Sequence, residues 1–297
     1  MQKFALCIDN VEDINKAVNG EVETIKLTMI DRVICEDPVN EKNQVIPYVT
    51  FYGVEAETGR VEFLQYQRAV KTPEGEEVGE KRLAGMTSVG FGGHIDVEED
   101  ISFTSKEEDE EGQVVYEMTT AQLVETISKT AFREIREEIG IDVQSDMGVE
   151  INLDGIIFFK GREQSDVNKV HLCFGCLIPL EISKLNELKE KATIQENEIS
   201  ELGIMGVNFG EIAASFNVKA EIGRLIEELR TNHSLEDWST IMVETVISGL
   251  CQMITMTIGW PELYKAHVAK VEEMHLASQV EESTEVVEDA VEDVEVV

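Results

Sequence analysis

Hydrophobic and polar positions fall into two rhythms along this chain. Residues 45–54, Val-Ile-Pro-Tyr-Val-Thr-Phe-Tyr-Gly-Val, are β-branched and aromatic, and residues 61–68, Val-Glu-Phe-Leu-Gln-Tyr-Gln-Arg, alternate. With the turn residues Glu57-Thr-Gly-Arg60 between them, they predict a hairpin. Residues 24–30 alternate and predict another strand, while the rest of 1–40 is mixed and short in period. Residues 152–160 and 170–180 read as two buried strands joined by a polar turn at 161–169, and 204–209 as a further strand. A helical rhythm appears at 182–192, 210–216, 220–230 and 235–256. In the last of these, Trp238, Ile241, Met242, Thr245 and Val246 share one face and read as core.

The clearest helical stretch is 120–139. Leu123, Ile127, Ala131 and Ile135 recur at four-residue steps, an apolar stripe that seats the helix on a core. Thr119-x-x-Gln122 predicts a capping box at its start, and Gly140 a left-handed stop at its end. Glu134, Glu137 and Glu138 stand at i, i+3 and i+4, so all three leave the opposite face together. Like charges that close repel, and a helix tolerates them where the face is fully solvated or where a cation sits against it. Such a density of carboxylate oxygens suits a hard divalent ion. Upstream, Gly85, Gly90, Gly92 and Gly93 mark a loop where backbone comes close to something.

Charge narrows the classes of partner. With 60 acidic against 25 basic residues, the 297-residue chain carries a formal net charge of −35. General nucleic-acid binding and anionic-membrane binding both need a basic surface and are excluded on that ground. An anionic substrate must then be met by local cations or by metal. Five scattered cysteines fit a reducing compartment better than a disulfide framework, and Cys173-Phe-Gly-Cys176 lacks a second pair to complete a zinc site. No apolar run suits a signal peptide or a spanning helix, so a soluble cytoplasmic protein is expected. Residues 271–297 hold ten acidic side chains and no Lys or Arg, the composition of a solvated tail.

Residues 133–141, Arg-Glu-Ile-Arg-Glu-Glu-Ile-Gly-Ile, resemble the second half of the Nudix box, R-E-U-x-E-E-x-G-U, at every defined position. Glu125 falls where that box puts its earlier glutamate. The front of the box departs from the pattern: Thr119 stands where the opening glycine belongs, and Gly92-Gly93-His94-Ile95-Asp96 lies well upstream. An insertion over 97–119 accounts for the gap, and the strand-like 114–118 makes it a hairpin. Residues 88–95, Arg82-Leu83 and a late Leu235-Glu-Asp-Trp-Ser239 are similar to a group of larger Nudix proteins known as predicted phosphoesterases.

The resemblance implies an α/β/α Nudix sandwich with a mixed sheet over 1–255. Within it lie an N-terminal extension at 1–44, the inserted hairpin and C-terminal helices at 211–255, with a C-terminal extension and acidic tail at 256–297. It implies a metal-dependent pyrophosphohydrolase that cleaves a phosphoanhydride bond in a nucleoside diphosphate derivative, with Mg²⁺ or Mn²⁺ as cofactor. Glu134, Glu137 and Glu138 match the metal-ligand positions, with the Gly93 carbonyl as a further ligand. Glu134, Glu137 and Arg133 form the catalytic set, Arg133 orienting the glutamates with Glu125 as its nearest partner by motif. The general base is Glu134 or Glu201. Arg68, Arg82, Gly92 and His94 are the substrate-binding candidates, and Lys81 is a further cation on the same loop. The expected partner is a small nucleotide-type molecule, and a homodimer is left open. Two other classes share the fold: a diphosphate isomerase and a non-catalytic nucleotide- or protein-binding module. The intact set of three glutamates argues against the latter.

Overall fold

The computed structural model describes residues 3–35, 42–55, 58–70, 83–96, 98–148, 156–161, 171–194, 199–215 and 217–258. Lys81, Arg82, most of the polar turn after 161 and the acidic tail lie outside them.

In chain order the elements are β1 (Phe4–Ile8), α1 (Glu12–Val18), β2 (Ile25–Asp31), α2 (Arg32–Cys35), β3 (Asn43–Glu55), β4 (Arg60–Arg68), β5 (Thr87–Ser88), β6 (Ser105–Glu108) and β7 (Val114–Met118). There follow α3 (Thr120–Ile139), α4 (Val143–Met147), β8 (Ile156–Gly161), β9 (His171–Leu180), α5 (Ile182–Lys191), β10 (Ile199–Asn208), α6 (Phe209–Ala213), α7 (Val218–His233) and α8 (Asp237–Ile258). The sheet runs β10-β4-β3-β1-β2-β7-β6, with β9 on β3, β8 on β9 and β5 on β4. It is mixed and mostly antiparallel: β3 and β9 are the parallel pair, in register from Gln44↔His171 to Gly53↔Leu180.

Two apolar clusters lie on the two faces of this sheet. One joins the stripe of α3 (Leu123, Ile127, Ala131, Ile135) to Ile14 of α1, Leu185 and Leu188 of α5, and sheet residues such as Leu6, Val49, Phe51, Leu64 and Tyr66. The other joins Val61, Phe63, Met205 and Val207 to helices α6, α7 and α8. The architecture is therefore α/β/α, as the family resemblance implies. Alternation in β4 explains the split, since Val61 and Phe63 serve one face while Leu64 and Tyr66 serve the other.

The mixed pattern of residues 1–40 conceals β1 and α1. β1 sits between β2 and β3 and buries Ala5, Leu6, Cys7 and Ile8, so this segment is an integral part of the sheet. The hairpin after residue 97 is formed by β6 and β7, and β7 pairs with β2, extending the sheet by two strands.

β3 is the frame for the site. One of its edges carries β9 along ten residues. Its other edge carries β1 at Asn43–Gln44 and β4 at Tyr52–Glu55, and the two strands diverge between. The glycine-rich segment enters that fork. Val49 N donates to Phe91 O at 2.7 Å, and Phe91 N donates back to Val49 O at 2.9 Å. Upstream, β5 pairs with β4; downstream, Leu6 N of β1 donates to Ile95 O at 3.0 Å. A loop held this way is an ordered part of the sheet.

Candidate functional site

Helix α3 is fixed at both ends. Gln122 N donates to Thr119 Oγ1 and Thr119 N donates to Gln122 Oε1, the reciprocal capping box. Gly140 closes the helix with φ 72°, its N–H donating to Arg136 O. With Leu123, Ile127, Ala131 and Ile135 buried, the opposite ridge of the helix faces the glycine loop.

Helix and loop meet residue by residue. Gly92 has φ +149°, and a methyl group there would lie 2.1 Å from Pro47 O, so only glycine lets the loop press onto β3. At Gly93 a methyl group would lie 2.4 Å from Glu134 Oε2. The backbone of Gly93 thus forms the wall against which the Glu134 carboxylate rests. One turn farther along α3, Glu138 is buried, and its charge reaches Tyr66, the β4 residue that pairs with Ser88. Burial first, then the Glu138 and Glu236 charges, hold the Tyr66 phenol above its usual range against the pull of Arg68.

Arg133 ties the group together. Its Nε donates to Asp100 Oδ2 at 2.8 Å, and Nη1 to Glu134 Oε1 at 2.8 Å and Glu137 Oε2 at 2.9 Å. Nη2 donates to Asp96 Oδ1 at 3.3 Å and to the His94 carbonyl at 3.4 Å. Burial works against the guanidinium charge, but the Asp100 hydrogen bond and the charges of Glu134, Asp100 and Glu137 outweigh it and raise its pKa. At Glu134 it is the charged form that is disfavoured. Burial, with Glu137 and Asp96 adding to it, pushes its carboxyl from 4.5 to about 7 despite Arg133.

The sequence-derived residues separate into two sets. Glu134, Glu137, Arg133, Gly92, Gly93 and His94 come together at the α3–loop seam, and Glu138 lies on the same ridge turned toward Tyr66. His94 Nε2 is 3.0 Å from Oε1 of the buried Gln44. Arg68 lies at the other end of the loop, over the Tyr66 ring and in an ion pair with buried Glu236. Glu201 lines a polar cavity of about 290 Å³ with Gln65, Gln67, Thr87, Asn232 and His233, and no member of the Arg133 cluster lines that cavity. Glu125 is not the partner of Arg133. It points to solvent and pairs with Lys129 at 2.8 Å, because eight residues along a helix separate it from the arginine by about 12 Å of axial rise.

Several residues escape the sequence reading. Asp96 and Asp100 complete the Arg133 set, yet nothing in the sequence assigns that role to Asp96 at the end of the glycine run or singles out Asp100 in the acidic run after it. Ser239 is another: its hydroxyl accepts from Val89 N at 2.9 Å and lies 3.1 Å from Ser88 Oγ. Glu236 N donates to Thr87 O and Thr87 N to Ser234 O, each at 3.0 Å. The late Leu235–Ser239 motif therefore braces the glycine loop from behind.

The donor set available to a cation is all oxygen: three glutamates, two aspartates and loop carbonyls. Among the described residues, no three His, Cys, Asp or Glu side chains converge on a common point. Glu134 and Glu137 turn instead to Arg133, and Glu138 to the sheet. Glu137 is half exposed and can rotate off the guanidinium.

No family model matches the chain, and no curated protein is similar to it in sequence. Solved structures similar to it include MutT/Nudix proteins. One is a mutT/nudix family protein from Listeria innocua (16% identity, 72% of this chain and 97% of that one, TM-score 0.34). A second is a NUDIX hydrolase from Alicyclobacillus acidocaldarius (13%, 72% and 96%, TM-score 0.38). A third is an Ap4A hydrolase from C. elegans (16%, 63% and 95%, TM-score 0.29). Among the described residues, no helix is long and apolar enough to cross a membrane.

Proposed function

We propose that this protein is a metal-dependent pyrophosphohydrolase of the Nudix type, cleaving a diphosphate linkage in a nucleoside diphosphate derivative. The observation that carries the reading is the contact between Gly93 and Glu134. It brings the glycine loop against the glutamate ridge across the intervening hairpin and makes one site of two distant sequence motifs.

The residues present fit a hard divalent cation, Mg²⁺ or Mn²⁺. The donors are oxygens, and the Glu134 carboxyl is lifted to about 7 by burial and by neighbouring carboxylates, a state that a cation relieves. Glu134, Glu137 and Glu138 would hold it, with the Gly93 carbonyl. When bound, the metal neutralises phosphate charge and lowers the pKa of a water. The chain's own groups do the rest. Arg133 holds Glu134 and Glu137 at fixed spacing until they are drawn away. Glu134, resting against the loop wall at Gly93, is the candidate to take the proton of the attacking water. The loop wall at Gly92 and Gly93 leaves backbone rather than side chain where phosphate must approach.

The test is hydrolysis of a panel of nucleoside triphosphates, dinucleoside polyphosphates, ADP-ribose, NADH and nucleotide sugars with Mg²⁺ or Mn²⁺, reading released phosphate species. Turnover of at least one class is expected. Turnover of none, with metal uptake shown separately, removes the hydrolase reading for these substrates.

A further inference from the structure

The strongest uncommitted feature near the site is a carboxylate from the hairpin segment. Asp100 ends a 3₁₀ turn, Glu98–Asp100, and is 8% exposed. Aspartate is rarely that buried without a dedicated partner, and here the partner is Arg133 Nε at 2.8 Å. The segment after it is stitched along α3. Ser102 N donates to Thr126 Oγ1 at 2.9 Å, Lys129 Nζ to Ser102 Oγ at 3.0 Å, and Thr104 Oγ1 to Gln122 Oε1 at 2.8 Å. Thr104 N then joins the β7 strand through Glu117 O at 2.7 Å. Asp100 is thus held by contacts made just beyond it, and it meets Arg133 at Nε while the glutamates meet Nη1.

We infer that Asp100 is the positioning residue of the cation site, fixing Arg133 through Nε so that Nη1 presents Glu134 and Glu137 as a pair, a task that Glu125 does not perform in this chain. The geometry explains why. A guanidinium is a planar fork, and fixing its Nε edge sets the direction of both terminal nitrogens. Asp100 takes the Nε edge, and Nη1 is left to the two glutamates. Without Asp100, a half-buried guanidinium would rotate to find another acceptor and would draw the glutamates with it. The hairpin is then part of the catalytic apparatus. This inference rests on the proposed function, because it concerns the same cation site.

The experiment compares Asp100→Asn, Asp100→Ala and Glu125→Gln in the full chain. It measures Mn²⁺ affinity by electron paramagnetic resonance and follows the Arg133 Nε–H resonance in ¹⁵N-labelled protein. Partners of metal ligands typically change metal affinity about 10–100-fold. Asp100→Asn, which keeps an acceptor, should weaken Mn²⁺ binding about 10-fold and Asp100→Ala about 100-fold, with the Nε–H signal shifted or lost. Glu125→Gln should leave both readouts at the wild-type value. If Asp100→Ala fails to fold, the nearly isosteric Asp100→Asn decides. The inference is overturned if Asp100→Asn binds Mn²⁺ like the wild type, or if Glu125→Gln weakens binding as much. A wild type that takes up no Mn²⁺ overturns it together with the proposed function. A wild type that binds Mn²⁺ with the Asp100 dependence but hydrolyses nothing overturns the proposed function alone.

Discussion

Two arginines bracket the glycine loop, and they are built for different work. Arg68 and Arg133 are about equally enclosed, with side chains 15% and 18% exposed. Among the described residues Arg68 pairs with Glu236, itself 2% exposed, in a setting closed by Tyr66 and the start of α8. Arg133 faces Asp96, Asp100, Glu134 and Glu137, four carboxylates against one guanidinium. The first arrangement pins β4 to the α8 brace. The second carries a surplus of negative charge at the seam of loop and helix. Surplus charge in a half-buried place costs stability unless something compensates it. That surplus is the feature the proposed cation site rests on.

The comparison breaks most visibly through activity. Glu134→Gln and Glu137→Gln each remove surplus charge from the Arg133 end. They should lower kcat by about 10²–10⁴-fold, the range for loss of a general base or a metal ligand, while the thermal midpoint holds or rises. Steady-state kinetics on whichever substrate the panel identifies, paired with a melting curve, checks this. Full activity in both variants would remove the glutamates from the site.

At the Arg68 end the sign should reverse, with stability lost first. Arg68→Met takes the guanidinium from the buried Glu236 carboxylate, a change that costs about 3–5 kcal/mol when a buried charge loses its counterpart. The pair of changes Arg68→Met with Glu236→Leu should recover most of that, since a buried ion pair replaced by apolar groups is often near neutral. Denaturant unfolding reads the result. If Arg68→Met instead raises KM for substrate without loss of stability, Arg68 belongs to the substrate site, as its place before the glycine run first suggested.

The glycine wall sharpens the same contrast over a shorter distance. Gly93→Ala pushes a methyl group against the Glu134 carboxylate, the end of a side chain that can move. Gly92→Ala pushes one against Pro47 O, which is strand backbone. Gly93→Ala should therefore fold and lose about 10²-fold in kcat, the effect of roughly an ångström of misplacement. Gly92→Ala should lose stability instead. Equal melting curves for the two would mean that the loop is not clamped on β3.

Much of this was legible in the residues, for identifiable reasons. α3 announces itself through three independent signals: the Thr119–Gln122 box, the apolar stripe and Gly140. The β3–β4 hairpin follows from β-rich runs with a clear turn, whereas the mixed character of the sheet came only with the family resemblance. β1 was missed because five residues, Phe4–Ile8, are too few for a period to register, and their burial depends on β2 and β3 closing over both edges. Asp100 was illegible for a different reason. It is one acidic residue in a run of three, and only the packing of the hairpin on α3 buries it while Glu98 and Glu99 stay exposed. Glu125 was named as the partner of Arg133 because spacing along a helix was the only ruler available.

The smallest effect is also the most direct reading of the surplus charge. The Glu134 carboxyl titrates near 7 when folded against 4.5 as its ordinary value. A raised carboxyl pKa means that the folded protein holds the proton more tightly. The contribution of this group to stability is then complete below about pH 4.5 and is lost as pH rises through about 7. In chelator, the melting temperature of the wild type should fall across that window relative to Glu134→Gln, which has no proton to lose there. Excess Mg²⁺ should reverse the trend for the wild type alone, because metal binding competes with the proton and strengthens as the carboxylate ionises. Melting curves of the two proteins at a series of pH values, with and without Mg²⁺, isolate Glu134 from the other acidic groups by difference. Parallel curves in chelator would mean that the carboxyl is not held neutral by its surroundings, and the charge asymmetry between the Arg133 and Arg68 ends would lose its energetic meaning.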